Sequence, residues 1–131
     1  MLAKQKIIDL ICQQLPDIQA IYLFGSANSA YEKSDSDVDL AFLATKKIEP
    51  MKRWQVQQEL AILLDKDVDL IDLWQASEVL RWQVISTGQR IYCQKKKTCE
   101  AYENTVFSAY LRLNDERKDI LEEIQKRGQV L

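Results

Sequence analysis

Residues 37–43 read Asp-Val-Asp-Leu-Ala-Phe-Leu, an alternation of period two. Val38, Leu40 and Phe42 fall on one face, and Asp37, Asp39 and Ala41 on the other. A half-buried strand produces this pattern, because successive side chains point to opposite sides of a sheet. Residues 67–73 repeat it, with Asp67, Asp69 and Ile71 sharing a face. Two such segments commit the chain to a sheet whose wet side carries acids. Seven of the eleven aspartates lie within residues 35–39 and 65–72. Aspartate is disfavoured in strands, so a local rule broken twice in the same way points to chemistry rather than folding.

The rest of the chain supplies helices to cover that sheet. Ile7, Ile8, Ile11 and Leu15 have helical spacing, and Pro16 ends the segment. Residues 20–24 form a short apolar run of strand formers that meets Gly25-Ser26 at once. The polar stretch 26–36 suits a turn and a short helix. Pro50 opens a helix to Leu64, for which Trp54, Val56, Leu60, Ala61, Leu63 and Leu64 offer apolar contacts. Ser77 caps a helix to Thr87, stopped by Gly88, and residues 89–93 form a fourth strand. Lys95-Lys96-Lys97 reads as a solvated turn, and residues 98–127 as one long helix. The order α-β-(α)-β-α-β-α-β-α describes an α/β (α+β) domain, a small mixed sheet with flanking helices. A length of 131 residues suits one domain, 1–131, with a core over 1–97 and a terminal helix over 98–131.

Composition removes whole classes of function. The chain has no histidine, which excludes Ser-His-Asp triads and His-ligated zinc. Its three glycines, Gly25, Gly88 and Gly128, are too dispersed for a Rossmann or P-loop phosphate cradle. A net charge of −2 gives no basic footprint for unaided binding to nucleic acid. No stretch approaches the roughly 18 consecutive apolar residues of a membrane span, and no signal peptide opens the chain. Cys12, Cys93 and Cys99 form no C-x-x-C pair and read as reduced thiols of a cytoplasmic protein, with Cys12 in the core.

Strand geometry says what the acids could do. Asp37 and Asp39 share a face with their Cα atoms roughly 7 Å apart, so their carboxylates can converge. With a third carboxylate from another strand they repel one another unless a divalent cation intervenes. Oxygen-only ligands suit Mg²⁺ or Mn²⁺. Two such ions can clamp nucleotide phosphates during an in-line displacement. Gly25-Ser26 completes the scheme: backbone without a Cβ can approach a phosphate closely, and Ser26 adds a hydroxyl donor.

Gly25-Ser26, ten residues, then Asp37-Val38-Asp39 resembles the G-S-x10-D-x-D signature of the DNA polymerase β-like nucleotidyltransferase superfamily. Ser36-Asp37-Val38-Asp39-Leu40 is similar to its S-D-x-D-L strand, and residues 67–71 to its later strand, where the third carboxylate falls on Asp69. The resemblance spans residues 20–73. It implies the polymerase β-like fold, catalysis and metal binding by Asp37, Asp39 and Asp69, and nucleotide contacts from Gly25, Ser26 and Ser36. Where members often carry arginines after Gly-Ser, this chain has Ala27-Asn28-Ser29-Ala30, so triphosphate charge falls to Lys33 or the metals.

The chain's size resembles that of the minimal nucleotidyltransferases, many of which are antitoxins of HEPN–MNT toxin–antitoxin pairs. That resemblance implies Mg²⁺-dependent transfer of AMP from ATP to a tyrosine of a HEPN ribonuclease toxin, which inactivates it. The terminal helix, with exposed tyrosines, would dock the toxin, Tyr102 and Tyr110 serving the core, the partner interface, or both. Two alternatives stay open: neutralisation by masking alone, and transfer to a small molecule of the aminoglycoside type.

Overall fold

The structure is a computed structural model describing residues 3–25 and 37–129, with side chains as far as residue 126. The short helix expected within 26–36 lies outside the described residues, as do Ser26, Lys33 and Ser36. Helix α1 (Lys4–Gln14) buries Ile7 and Ile11. Strand β1 (Ile18–Phe24) follows, beginning two residues earlier than the apolar run suggested. Strand β2 (Val38–Ala44) leads to helix α2 (Pro50–Leu64), with Pro50 in its first turn, and then to strand β3 (Val68–Asp72). Helix α3 (Glu78–Thr87) is capped by Ser77, whose side chain accepts from the Leu80 N–H. Strand β4 (Gln89–Cys93) and helix α4 (Lys96–Gln129) complete the order.

The four strands form one mixed sheet in the order β3-β2-β1-β4. β1 runs antiparallel to β2 and β4, while β2 and β3 are parallel. A parallel pair needs a crossover, and α2 supplies it. Period-two alternation then divides the core into two layers. Ile21, Leu23, Val38, Leu40 and Phe42 pack with Ile7, Ile11, Val56 and Leu60 on the face covered by α1 and α2. Ala20, Tyr22, Ala41 and Leu43 pack with Val84 and Cys99 on the face covered by α3 and α4. Trp82 and Tyr110 stack with ring centroids 4.1 Å apart, joining those two helices.

Several expectations are corrected. Trp54 lies on the opposite side of α2 from Val56 and is 52% exposed, and Leu63 is 40% exposed, so neither is a core contact. Lys96 and Lys97 belong to the first turn of α4 rather than to a turn before it. Lysines are unfavourable there because helix N-termini favour anions. Cys93 and Cys99 form a disulfide across the β4–α4 junction, where the Cα atoms come within 6.5 Å, so two of the three cysteines are not free thiols. Cys12 is half-buried at the margin of the core. Tyr102 and Tyr110 are half-buried rather than exposed. The exposed apolar residues of α4 are Phe107, Leu111, Ile120, Leu121 and Ile124. Among the described residues no helix is long and apolar enough to cross a membrane.

Candidate active site

Strand register brings the acids together. In the parallel pair Asp39 lies opposite Asp69. Asp37 stands immediately before β2, and the Val38 N–H donates to the Asp67 carbonyl at 2.9 Å, tying the two strand lips to each other. Asp39 is partly buried while Asp37 and Asp69 are exposed. Burial pushes the Asp39 carboxyl above its ordinary value, and the carboxylates of Asp69 and then Asp37 push it further. Both effects disfavour the charged form.

Gly25 is fitted to the same carboxylate. Phe24 pairs with Asp39 across β1 and β2, which sets Gly25 beside it. Gly25 has φ +73°, and a Cβ placed on it would fall 2.1 Å from Asp39 Oδ2. A side chain here would therefore strain the left-handed backbone and push the Asp39 carboxylate aside.

The neighbouring acids separate by role. Asp72 is 3% exposed, and its carboxylate accepts from the Ile48 N–H at 2.8 Å, the Trp74 N–H at 2.9 Å and Gln75 Nε2 at 3.2 Å. It is a structural anchor at the far end of β3. Asp67 precedes the strand, is tied to β2 by its backbone carbonyl, which accepts from the Val38 N–H, and is out of register with Asp39. Asp69 is the acid of that window opposite Asp39.

Two residues that sequence reasoning passed over hold this part of the sheet. β3 is an edge strand, and the outward N–H and C=O of Leu70 would otherwise be open. The Leu70 N–H donates to Gln57 Oε1 at 3.0 Å, and Arg53 Nη1 donates to the Leu70 carbonyl at 2.8 Å. Arg53 and Gln57 lie one helical turn apart on α2, a spacing that foretold a pair but not what it would grip.

Among the described residues no three acidic or cysteine side chains close on one point. The donor set still fits a divalent cation. It is all oxygen, and a bound cation would offset both the burial and the neighbouring carboxylates that disfavour the charged form of Asp39.

Comparisons with known proteins agree with this geometry. Residues 5–97 match the family described as polymerase beta, nucleotidyltransferase. The protein adenylyltransferase MntA of Shewanella oneidensis is 37% identical over 123 residues, covering 94% of this chain and 88% of that protein. A crystal structure of the toxin–antitoxin with AMP-PNP superposes with TM-score 0.85 at 37% identity, covering 95% of this chain and 99% of that one. The complex of tri-AMPylated Shewanella oneidensis HEPN toxin with MNT antitoxin gives TM-score 0.77 at 37% identity, covering 93% and 95%. The chain belongs to the polymerase β nucleotidyltransferase family, and within it to the minimal nucleotidyltransferases that serve as antitoxins of HEPN–MNT pairs.

Proposed function

We propose that this protein is an antitoxin that transfers AMP from ATP to a tyrosine of a cognate HEPN ribonuclease toxin and so inactivates it. The observation that carries the reading is the pairing of Asp39 with Asp69, with Gly25 pressed against the Asp39 carboxylate. The names of the relatives, a protein adenylyltransferase and an antitoxin bound to an AMPylated toxin, support it.

The residues divide the work by position. Gly25 and Ser26 follow β1 and receive the ATP phosphates, with Ser36 as a further nucleotide contact. Asp37, Asp39 and Asp69 would hold Mg²⁺, as two ions, with Mn²⁺ as a substitute. When bound, the metal supplies positive charge to the phosphates and the attacking oxygen. The tyrosine hydroxyl, with an ordinary pKa of about 10, must lose its proton as it attacks. Asp69 orients that hydroxyl and accepts its proton on the way to solvent. The oxygen forms a bond to the α-phosphorus as the bond to the β-phosphate oxygen breaks. The products are AMP-tyrosine, pyrophosphate and one proton. Residues 98–131 dock the toxin. The reaction belongs in the cytoplasm, where ATP is supplied.

The test is a transfer assay with ATP labelled at the α-phosphate and purified toxin. Label enters the toxin with Mg²⁺, disappears with a chelator and returns when Mg²⁺ is restored. An Asp39→Asn variant that labels as well as wild type rules the site assignment out. The exposed apolar residues of α4 favour masking as a second reading. Protection from the toxin that survives Asp37→Asn, Asp39→Asn and Asp69→Asn together would establish it.

A further inference from the structure

Adenylyl transfer needs a place for the acceptor side chain. Strand order supplies a constraint. In β3-β2-β1, Asp39 stands between Asp69 on one flank and Gly25 on the other. Strands are spaced about 4.8 Å, so the two flanks lie roughly 10 Å apart. An in-line displacement needs the attacking and leaving oxygens on opposite sides of phosphorus. With the phosphates over Gly25, the acceptor approaches from the Asp69 flank.

A hollow of about 310 Å³ lies on that flank. Asp69 and Ile71, on the same face of β3, line it together with Ala76, Leu80 and Arg53, and Asp72 and Gln75 add polar groups to the lining. Ile71, Ala76 and Leu80 are half-buried, so the hollow has an apolar wall next to a carboxylate. Ala76, directly before the α3 cap, leaves the space open by its size. Arg53 Nη1 is fixed on the Leu70 carbonyl, which holds a guanidinium at the rim. A fixed cation beside an apolar wall favours an electron-rich aromatic ring over an aliphatic alcohol. Among the described residues, a hollow of about 530 Å³ is lined by Asp37, Ile62 and Asp67, and one of about 390 Å³ by Lys47 and Pro50, the latter sharing Gln75 with the hollow at Asp69.

We infer that the hollow between β3 and the start of α3 is the acceptor subsite. The phenol ring of the toxin's tyrosine lies against Ile71, Ala76 and Leu80, with its hydroxyl at Asp69. This rests on the adenylyl-transfer reading and adds the place at which the acceptor enters. Arg53 is a positioning residue that holds β3 and borders the ring.

Ala76→Trp fills the hollow with an indole, and Leu80→Asn removes part of its apolar wall. Each raises the KM for toxin at least roughly tenfold while AMP-PNP affinity stays within about twofold of wild type. Thermal denaturation verifies that each variant is folded. Lys47→Trp, at the hollow beside Pro50, leaves the KM for toxin unchanged. Folded Ala76→Trp and Leu80→Asn proteins that label toxin with wild-type KM overturn the subsite and leave the function standing. A wild-type protein that transfers no AMP to toxin overturns both.

Discussion

Asp39 Oδ2 occupies the space that a Cβ on residue 25 would need. Gly25→Ala therefore strains the backbone by about 1–2 kcal/mol and also displaces the carboxylate. AMP transfer should fall far more than the melting temperature does, which a transfer assay beside calorimetry will reveal. Asp69 and Asp72 predict the opposite split. Asp69→Asn, at an exposed position, should abolish transfer with little change in stability. Asp72→Ala removes an acceptor of two backbone N–H groups and should cost about 1–3 kcal/mol in urea denaturation. Tyr102 gives a pH test. Its hydroxyl is buried without a hydrogen-bond partner among the described residues, and burial pushes its pKa from 10.0 up to about 12. Only the folded state has the raised value, so the stability this group contributes is fully present below pH 10. It is lost as pH rises from 10 to about 12. Tyr102→Phe should flatten the fall in urea midpoint over that range. The face of each aspartate was legible from alternation alone. Separating Asp69 from Asp67 and Asp72 was not, because that depends on which strand lies alongside.

Among elements, β3 shows most clearly what sequence pattern leaves out. Its existence and wet face follow from alternation, but its place at the sheet edge, parallel to β2, follows from the crossover through α2. The clamp on Leu70 exists only because of that placement. Arg53→Ala or Gln57→Ala frees one edge backbone group and should cost about 1 kcal/mol each in chemical denaturation. The start of α4 departs from the sequence pattern for a local reason. Three consecutive lysines read as turn, since cations oppose the N-terminal end of a helix dipole. Packing of the first turns overrides this: Cys99 and Val106 are buried, and Glu103 pairs with Arg90 of β4. The Cys93–Cys99 disulfide was hidden by the same misreading, because a six-residue separation becomes a close approach only once helix follows strand directly.

At the scale of the molecule, α4 is 34 residues long, about 50 Å of helix. Only its first part packs on the sheet, and Leu111, Ile120, Leu121 and Ile124 remain exposed. This apolar surface has the character of a docking helix. Truncation after residue 112 should leave AMP-PNP affinity near wild type and weaken toxin capture in a pull-down. Fold class and element order were legible in the sequence because periodicity and helix stops agree. The sheet order was not, since pairing is non-local. On the proposed function, Asp37, Asp39 and Asp69 together support AMP transfer to a protein acceptor. Intact-mass measurement of the HEPN toxin co-expressed with this protein tests it most directly. Wild type should add one or more AMP increments to the toxin, and the Asp37→Asn/Asp39→Asn variant none. Equal increments with both proteins, or none with wild type, would contradict it.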